Sequence, residues 1–154
     1  MTIRQYKNED CDTVAKLFYE TVHSVNAKDY TAEQLSVWAN NADSLKIRRD
    51  YLLKQYTLIA EINGEIVGFG SIDKLGYLDL LLVHKNYHRQ GIATALCNVM
   101  EKGFSVTNTF ASITAKPFFE SRGYVVVNEW EAERFGVKLK NFEMQKENAT
   151  SYSN

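Results

Sequence analysis

One stretch of the chain combines an apolar strand, a basic turn, a glycine and a helix of small and apolar residues. The strand runs from Leu78 to Val83 and is interrupted only by Asp79, and Arg89 precedes Gly91 in the turn. A helix start exposes unpaired N–H groups and the positive end of the helix dipole. A glycine there lets an anion approach the backbone without meeting a Cβ. The stretch therefore predicts a phosphate-binding turn between a strand and a helix.

The residues around this turn support that prediction. No acidic residue occurs from 85 to 100, although acids usually favour the first turn of a helix. The alternative is a plain helix start in which Gly91 serves packing alone. No Gly-Lys-Ser/Thr follows, as a Walker loop requires, and the three-glycine dinucleotide pattern is absent. The expected ligand is a phosphate-bearing small molecule outside those two classes.

Length and composition restrict the class of protein. A chain of 154 residues suits one domain, which we expect over residues 1–146, followed by a flexible polar tail over 147–154. A net charge of −1 argues against nucleic-acid binding. Cys11 and Cys97 fit no metal motif and are typical of free thiols in a reducing compartment. We therefore expect a cytoplasmic protein with no metal, nucleic-acid or membrane partner.

Hydrophobic periodicity predicts a mixed α/β (α+β) fold in the order β-α-α-α-β-β-β-α-β-α-β-β, with antiparallel hairpins around one strand–helix–strand crossover. The expected strands are 3–6, 56–62, 65–72, 77–83, 109–114, 124–127 and 137–144. The later helices are expected over 91–102 and 115–122. Asn63-Gly64 marks a hairpin turn, and the charged run from Glu129 to Arg134 is interpreted as a solvated turn.

The three earlier helices carry cap signals. Asp10 is expected to cap the first, and its apolar stripe is Val14, Leu17, Phe18, Val22 and Val25. Thr31 to Gln34 reads as a capping box for the second. Ser44 is expected to cap the third, which runs through Ile47, Tyr51 and Leu52.

Asp79 is the candidate catalytic residue of the central strand. Burying a carboxylate costs several kcal/mol unless it is paired or used. Desolvation also makes a carboxylate a better proton acceptor near neutral pH. Two interpretations follow, and the sequence leaves both open: a general base, acting directly or through water, or a structural carboxylate paired with a cation or a backbone N–H.

The turn resembles the acyl-CoA-binding signature of the GNAT superfamily of N-acetyltransferases, Gln/Arg-x-x-Gly-x-Gly/Ala after the fourth strand. Here it reads His88-Arg89-Gln90-Gly91-Ile92-Ala93, with His88 in place of Gln or Arg. A second block resembles the family pattern Asn-x-x-Ala-x-x-x-Tyr-x-x-x-Gly-Phe. Its residues here are Ser112, Ala115, Phe119, Gly123 and Tyr124. The element order also follows the GNAT plan over nearly the whole chain, closest to small bacterial acetyltransferases.

The resemblance implies a role for each matching residue. The backbone of residues 81–83 should pair with the pantetheine arm, and the N–H groups of residues 89–94 should hold the pyrophosphate. Ser112 replaces an Asn that contacts pantetheine. Phe118 and Phe119 are expected to line the coenzyme cleft, or they are part of a helix core. The full set of expected acetyl-CoA contacts is Leu81, Leu82, Val83, His88, Arg89, Gln90, Gly91, Ile92, Ala93, Thr94, Ser112, Phe118 and Phe119.

The expected acid and acceptor site are less defined. The tyrosine that protonates the leaving thiolate in this family is Phe119 here, so Tyr77, Tyr124 or water would serve, or no acid is needed. Each tyrosine is alternatively a core aromatic. His23, Tyr30 and Trp38 fall where the family builds its acceptor wall, or they are core packing. His84 is interpreted as a structural turn residue.

The function expected from the resemblance is direct transfer of an acetyl group from acetyl-CoA to an amine of a small molecule or peptide, with no metal. The alternative is a non-catalytic acyl-CoA-binding sensor or interaction module, and a nucleotide-binding regulatory domain is a third interpretation. The sequence leaves the acceptor and the acyl chain length open. It also leaves open a monomer or a homodimer, because the C-terminal hairpin offers a sheet edge.

Overall fold

The computed structural model describes residues 1–148, which form a seven-stranded mixed sheet with helices on both faces. The strands are β1 (Thr2–Gln5), β2 (Tyr56–Ile62), β3 (Glu65–Ile72), β4 (Tyr77–Val83), β5 (Val106–Ser112), β6 (Val125–Arg134) and β7 (Val137–Glu147). The α-helices are α1 (Cys11–Ser24), α2 (Ala32–Trp38), α3 (Arg49–Lys54), α4 (Ile92–Met100) and α5 (Lys116–Ser121). The predicted order of elements and the mixed α/β class are therefore confirmed.

The strands lie in the order β1-β2-β3-β4-β5-β7-β6. All neighbours are antiparallel except β4 and β5, which α4 connects as a parallel crossover. The last strand of the chain is inserted between β5 and β6 rather than added at the edge. β7 thereby closes the second half of the sheet, and β6 becomes its edge strand.

The central hairpins match the sequence prediction. β2, β3 and β4 begin and end at the predicted residues. Asn63 and Gly64 both have positive φ, 52° and 79°, as a tight turn with a right-handed twist requires. The Asn-Gly turn and the alternation of apolar and polar residues are local signals, so this part of the sheet can be predicted from the sequence.

The C-terminal hairpin differs from the prediction. β6 continues through the run from Glu129 to Arg134, so the prediction of a solvated turn there is wrong. The turn lies instead at Phe135-Gly136, where φ is 50° and 77°. Because β6 is an edge strand with its side chains exposed, charges are tolerated along it and hide the strand pattern. β5 also begins at Val106, three residues before the predicted start at Thr109.

Two of the three predicted helix caps are wrong. Thr31 and Gln34 do form the capping box, because the Gln34 N–H donates to Thr31 Oγ1 at 3.1 Å and the Thr31 N–H donates to Gln34 Oε1 at 2.8 Å. Asp10 instead accepts from the Arg4 guanidinium and from the Lys7 N–H. Ser44 is not a helix cap, because it is the first residue of a 3-10 turn, Ser44–Arg48, whose N-cap residue is Asp43. Ile47, expected on the apolar face of the third helix, is exposed.

Two apolar cores lie on opposite faces of the sheet. The first packs α1, α2 and the 44–52 segment against it, and the second packs α4 and α5. Gly68 on β3 brings α4 close, because a Cβ there would lie 3.1 Å from Cγ2 of Ile92 and 3.0 Å from the Leu82 carbonyl oxygen. The start of α4 is therefore held against the end of β4.

The predicted C-terminal tail, residues 147–154, overlaps β7 at its first residue and otherwise lies almost wholly outside the described part of the chain. β7 extends to Glu147, one residue into the segment expected as a tail, and residues 149–154 lie outside the described part of the chain. None of the helices within residues 1–148 is both long and apolar enough to cross a membrane.

A buried polar cluster links α4 to the strands that follow it. The Glu101 carboxylate accepts from Arg122, from the Tyr124 hydroxyl at 2.8 Å and from the Lys146 ammonium at 3.1 Å. Burial opposes the charged form of Glu101, but the hydrogen bonds from these three donors together outweigh it and lower its pKa. The cluster fixes the C-terminal end of α4 against the beginning of β6 and the end of β7.

We predict that Glu101→Gln lowers the free energy of unfolding by roughly 3 kcal/mol, because it leaves buried cations without their counter-charge. Glu120→Gln, which removes only an exposed i,i+4 partner of Lys116, should cost less than about 0.5 kcal/mol. Urea unfolding at pH 7 measures both. Because the folded-state pKa is lowered, the Glu101 contribution is present above the ordinary glutamate pKa and is lost as the pH falls below it. Equal losses in the two variants would contradict a stabilising role for the cluster.

Candidate active site

The cleft of this fold opens where β4 and β5 separate. The two strands pair at only two positions, Tyr77 with Asn108 and Leu78 with Thr109. At the last pair, the Thr109 hydroxyl donates to the Leu78 carbonyl oxygen at 2.8 Å. Beyond it β4 has no partner on the β5 side, and the gap belongs to a cleft of about 840 Å³. From Asp79 to Leu82, the edge of β4 on the β5 side therefore offers backbone donors and acceptors that have no partner in the described residues.

A β-bulge lies at Asp79, the first residue past the fork. Ser71 of β3 pairs with Leu80 and Ile72 pairs with Leu78, so Asp79 is the extra residue and has no partner in β3. A bulge leaves one residue out of the ladder and changes the direction in which nearby side chains point. Here it places the only ionisable carboxyl group of β4 on the cleft wall.

Both oxygens of the Asp79 carboxylate have protein partners. Arg48, from the 3-10 turn before α3, donates a short hydrogen bond to Oδ2, and the Tyr77 hydroxyl donates to Oδ1 at 3.2 Å. The carboxylate is largely buried, with its side chain 13% exposed. Each oxygen has one donor in the structure and keeps a further lone pair, so it can accept a proton or an ammonium group beside these partners.

Tyr77 lies beside the carboxylate at the fork. Burial and the neighbouring Asp79 charge raise the pKa of its hydroxyl, so the phenol stays protonated at neutral pH. Its ring packs edge-on against Phe110 of β5, with centroids 5.9 Å apart. Its single proton is directed to Asp79 in this arrangement.

The predicted phosphate-binding turn lies at the end of β4. Gly91 has φ of 78° and Arg89 has φ of 62°, both in the left-handed region that a non-glycine residue adopts only at a cost. The first intrahelical bond of α4 runs from the Ala95 N–H to the Gly91 carbonyl oxygen. No side chain caps the helix, so the N–H groups of residues 92–94 have no intrahelical acceptor. A Cβ added at Gly91 would meet nothing within 4 Å.

The side chains of the turn and of the facing strand border the same cleft. His88 uses its ring Nε2 in a 2.9 Å hydrogen bond with the Val83 carbonyl oxygen, which fastens the turn to β4. Of the expected acetyl-CoA contacts, the residues that border the cleft are Leu81, Leu82, Val83, His88, Arg89, Ile92, Ala93, Thr94, Ser112, Phe118 and Phe119. Gln90 and Gly91 lie within the turn between bordering residues.

The second predicted block supplies the opposite wall. Ser112 ends β5, and its Oγ accepts the Ala115 N–H at 3.0 Å, which stabilises the turn into α5. Phe119 is buried on α5, where its ring packs edge-on against Phe118 at 5.3 Å. The residues of α5 that border the cleft, Phe118 and Phe119, are apolar. Phe119 therefore cannot act as an acid.

The structure separates Tyr124 from the other candidate catalytic residues. Tyr124 does not border the cleft, and its hydroxyl binds Glu101 and Thr107 in the buried cluster. Burial raises the pKa of Tyr124, which keeps it protonated in a structural hydrogen bond. The geometry therefore favours the core-aromatic interpretation of Tyr124 over that of an acid.

The helical residues expected at the acceptor wall divide into two groups. Tyr30 and Trp38 border the cleft and contact each other edge-on at 5.2 Å. The Tyr30 hydroxyl also accepts from the Ile113 N–H and donates to the Lys140 carbonyl oxygen, tying β5 to β7. His23 instead binds the Ala39 carbonyl oxygen, and His84 accepts the Asn86 N–H, so both serve the local backbone.

Sequence reasoning missed Arg48. It lies 31 residues before Asp79 in a turn with no motif, and its guanidinium also lies over the Tyr51 ring at 4.6 Å. No local pattern connects Arg48 to Asp79; the only available signal is the general rule that a buried carboxylate needs a partner.

Comparisons with known proteins agree with this geometry. The family model described as "Acetyltransferase (GNAT) domain" matches residues 26–147. The uncharacterised N-acetyltransferase YafP of Escherichia coli K12 is 35% identical over 144 residues, which cover 93% of each chain. A solved GCN5-related N-acetyltransferase from Rhodopseudomonas palustris is 33% identical, with a TM-score of 0.90 over 96% of this chain and 95% of that one.

A more distant structure has the same fold. The PaiA N-acetyltransferase from Thermoplasma acidophilum, solved in complex with coenzyme A, is 19% identical and has a TM-score of 0.69 over 96% of this chain and 98% of that one. The matched family model and the YafP relative each cover most of the chain. The chain is therefore a member of the GNAT family of N-acetyltransferases, as the two sequence motifs predicted.

Proposed function

We propose that this N-acetyltransferase uses acetyl-CoA as donor and a free amine as acceptor, with both bound in the cleft between β4 and β5. The observation that carries the proposal is the free edge of β4 leading to the uncapped start of α4. An arm that contains amides can add to a strand edge through backbone hydrogen bonds. A diphosphate suits the turn of residues 89–94, where N–H groups and the helix dipole favour negative charge. The PaiA relative, whose structure contains coenzyme A, is consistent with this assignment.

Asp79 is the residue we propose to receive the amine proton. An ammonium group cannot attack a thioester until it loses a proton, and a positioned carboxylate can take it directly or through water. Among the described residues that border the cleft, Asp79 is the only carboxylate. An incoming amine would donate to one Asp79 oxygen, either beside Arg48 or Tyr77 or in place of one of them.

Tyr77 is the cleft phenol nearest to Asp79, and we propose it as a positioning residue and proton relay. Its hydroxyl holds Asp79 Oδ1, and its raised pKa makes it a weak acid. A thiolate is a tolerable leaving group near neutral pH, because a free thiol has a pKa of about 8.5. Transfer therefore does not depend on a strong acid at the position of Phe119.

Donor binding is tested by thermal unfolding with candidate ligands. Acetyl-CoA at about 100 times its Kd should stabilise the protein by about 2.7 kcal/mol, which raises Tm by several degrees. ATP and NAD at the same concentration should change Tm much less, because neither carries the pantetheine arm. Stabilisation by ATP or NAD alone would favour the nucleotide-binding interpretation instead.

Gly91→Glu should abolish measurable acetyl-CoA binding. The new carboxylate would lie in the open space in front of the α4 N–H groups and repel the diphosphate. Gly103→Glu is the matched control, because φ is 92° there, a Cβ is equally unobstructed, and the turn is not part of the cleft. Both variants should lose about 1–2 kcal/mol of stability through left-handed strain. If calorimetric titration finds equal affinity for acetyl-CoA in the two variants, the diphosphate does not bind at the Gly91 turn.

Asp79→Asn should lower kcat by at least about 100-fold, since the amine loses its proton acceptor, and should leave the Kd for acetyl-CoA nearly unchanged. Arg48→Gln removes the salt bridge but keeps the carboxylate, so it separates the two interpretations of Asp79. If Asp79 serves only to hold Arg48, the two variants should lose kcat equally. A thiol-release assay with saturating amine, together with the pH profile of kcat, gives the comparison.

The non-catalytic sensor remains the second candidate, and specific observations favour it. Phe119 stands where the family's acid would be, and both Asp79 oxygens already have partners. A sensor would bind acetyl-CoA as in the thermal test and release no free thiol with any amine. Turnover with a single amine decides against it.

A further inference from the structure

The cleft is cationic although the whole chain carries a net charge of −1. The basic side chains that border it are Lys28, Arg48, Arg89, Arg134 and Lys140. Arg89 lies on the turn assigned to the diphosphate. The other four come from the elements around the acceptor half, and Asp79 is the single carboxylate among the described bordering residues. The acceptor half therefore has an excess of positive charge.

Two of these four cations have no counter-ion among residues 1–148. Arg48 is bound to Asp79, and Lys140 lies 3.4 Å from a Glu129 carboxylate oxygen. Within residues 1–148, neither Lys28 nor Arg134 forms a salt bridge. The carboxylate of Asp29, next to Lys28, accepts from the Thr114 hydroxyl at 2.7 Å and does not border the cleft.

Two long-range hydrogen bonds hold these charges at one mouth of the cleft. The Tyr30 hydroxyl donates to the Lys140 carbonyl oxygen, and the Gln34 amide donates to the Lys138 carbonyl oxygen at 2.9 Å. The segment that contains Lys28 is thereby fastened to the first residues of β7. Arg134 faces those residues across the hairpin, paired with Val137.

The wall behind the mouth is polar and incompletely hydrogen-bonded. Thr21, Ser44 and Asn141 border the cleft, and each has a buried side-chain oxygen with no hydrogen-bond partner among the described residues. Thr21 is only 7% exposed, so the missing partner is not simply bulk water. Unpartnered buried oxygens cost stability and occur where a ligand or a bound water completes them. These three oxygens belong to α1, to the 3-10 turn at 44–48 and to β7, and because each is buried from the cleft surface, a bound water is the partner that fits them.

We propose that the acceptor is a small polar amine that also carries an anionic group, a carboxylate or a phosphate. The anion would pair with Arg134 and Lys28 at the mouth, and the amine would reach Asp79. This inference rests on the proposed function and specifies the substrate class for the same site. Polyamines and basic peptides should be poor acceptors, because the cleft holds several cations and a single carboxylate, and the cations would repel a positively charged substrate.

Matched pairs of amines test the proposal with acetyl-CoA held at saturation. Each pair differs only in the anionic group: an α-amino acid against its carboxamide, and O-phosphoethanolamine against ethanolamine, with spermidine as the cationic extreme. The anionic member of at least one pair should have the higher kcat/KM by at least about tenfold, as one charge-assisted hydrogen bond provides. The pair that shows the preference distinguishes carboxylate from phosphate.

Variants identify the residues responsible. Arg134→Gln and Lys28→Gln should each reduce the preference for the anionic member by about tenfold, mainly through the acceptor KM, and Arg134→Lys should restore part of it. Lys138→Gln is the matched control, because this exposed lysine lies on the same hairpin but does not border the cleft. It should change neither the preference nor the Kd for acetyl-CoA.

The outcomes separate this inference from the function on which it rests. Faster turnover of neutral amines or spermidine would overturn the inference while the acetyltransferase assignment stands. Acetyl-CoA binding without turnover of any anionic amine in the panel would also count against it. If both Arg134→Gln and Lys28→Gln keep the preference for the anionic amine, these two residues do not bind the anion and the proposed site is wrong. A failure to bind acetyl-CoA would overturn the donor assignment and this inference together.

Discussion

The separation of β4 from β5 after two residue pairs is the constraint on which the rest of the site depends. Backbone groups on a strand edge must find partners, and in most sheets the neighbouring strand supplies them. Here β5 instead pairs over seven residues with β7, and the Thr109 hydroxyl satisfies the last shared carbonyl at Leu78. The edge of β4 beyond that point is left for a ligand. A sheet that closed at this place would have neither the cleft nor the proposed coenzyme site.

Three further features act at this opening because of where the strands part. The bulge puts Asp79 at the fork, and Arg48 from the 3-10 turn before α3 pairs with its charge. Gly68 allows α4 to pack close to β3, so the uncapped helix start lies at the far end of the same β4 edge. The Tyr30 hydroxyl bridges Ile113 and Lys140 and thus ties the ends of β5 and β7 together. The proposed donor and acceptor sites are consequently two ends of one structural opening.

The positive charges of the cleft also form two groups, one at the α4 end and one at the opposite end. At the α4 end, backbone N–H groups and Arg89 provide a positive environment suited to a diphosphate. At the other end the positive charge comes from side chains that arrive from distant parts of the chain, and Asp79 lies between the two. A substrate with its own negative charge would be held away from the diphosphate and with its amine toward Asp79. In this arrangement electrostatics orients the acceptor as well as attracting it.

The sequence by itself determined the features set by neighbouring residues. The element order, the three central strands, the Asn63-Gly64 turn and the Thr31 capping box follow from periodicity and local hydrogen bonding, and the left-handed Gly91 turn follows from one glycine. Only the tertiary structure decided which distant residues meet. It placed β7 beside β5, the Tyr124 hydroxyl against Glu101 and Arg48 against Asp79, and it put Lys28 and Arg134 on the border of one cleft. The physical reason is the distance along the chain. Local signals act within a few residues, whereas strand insertion, charge pairing and burial join residues 23 to 110 positions apart, for which a single sequence carries no pattern.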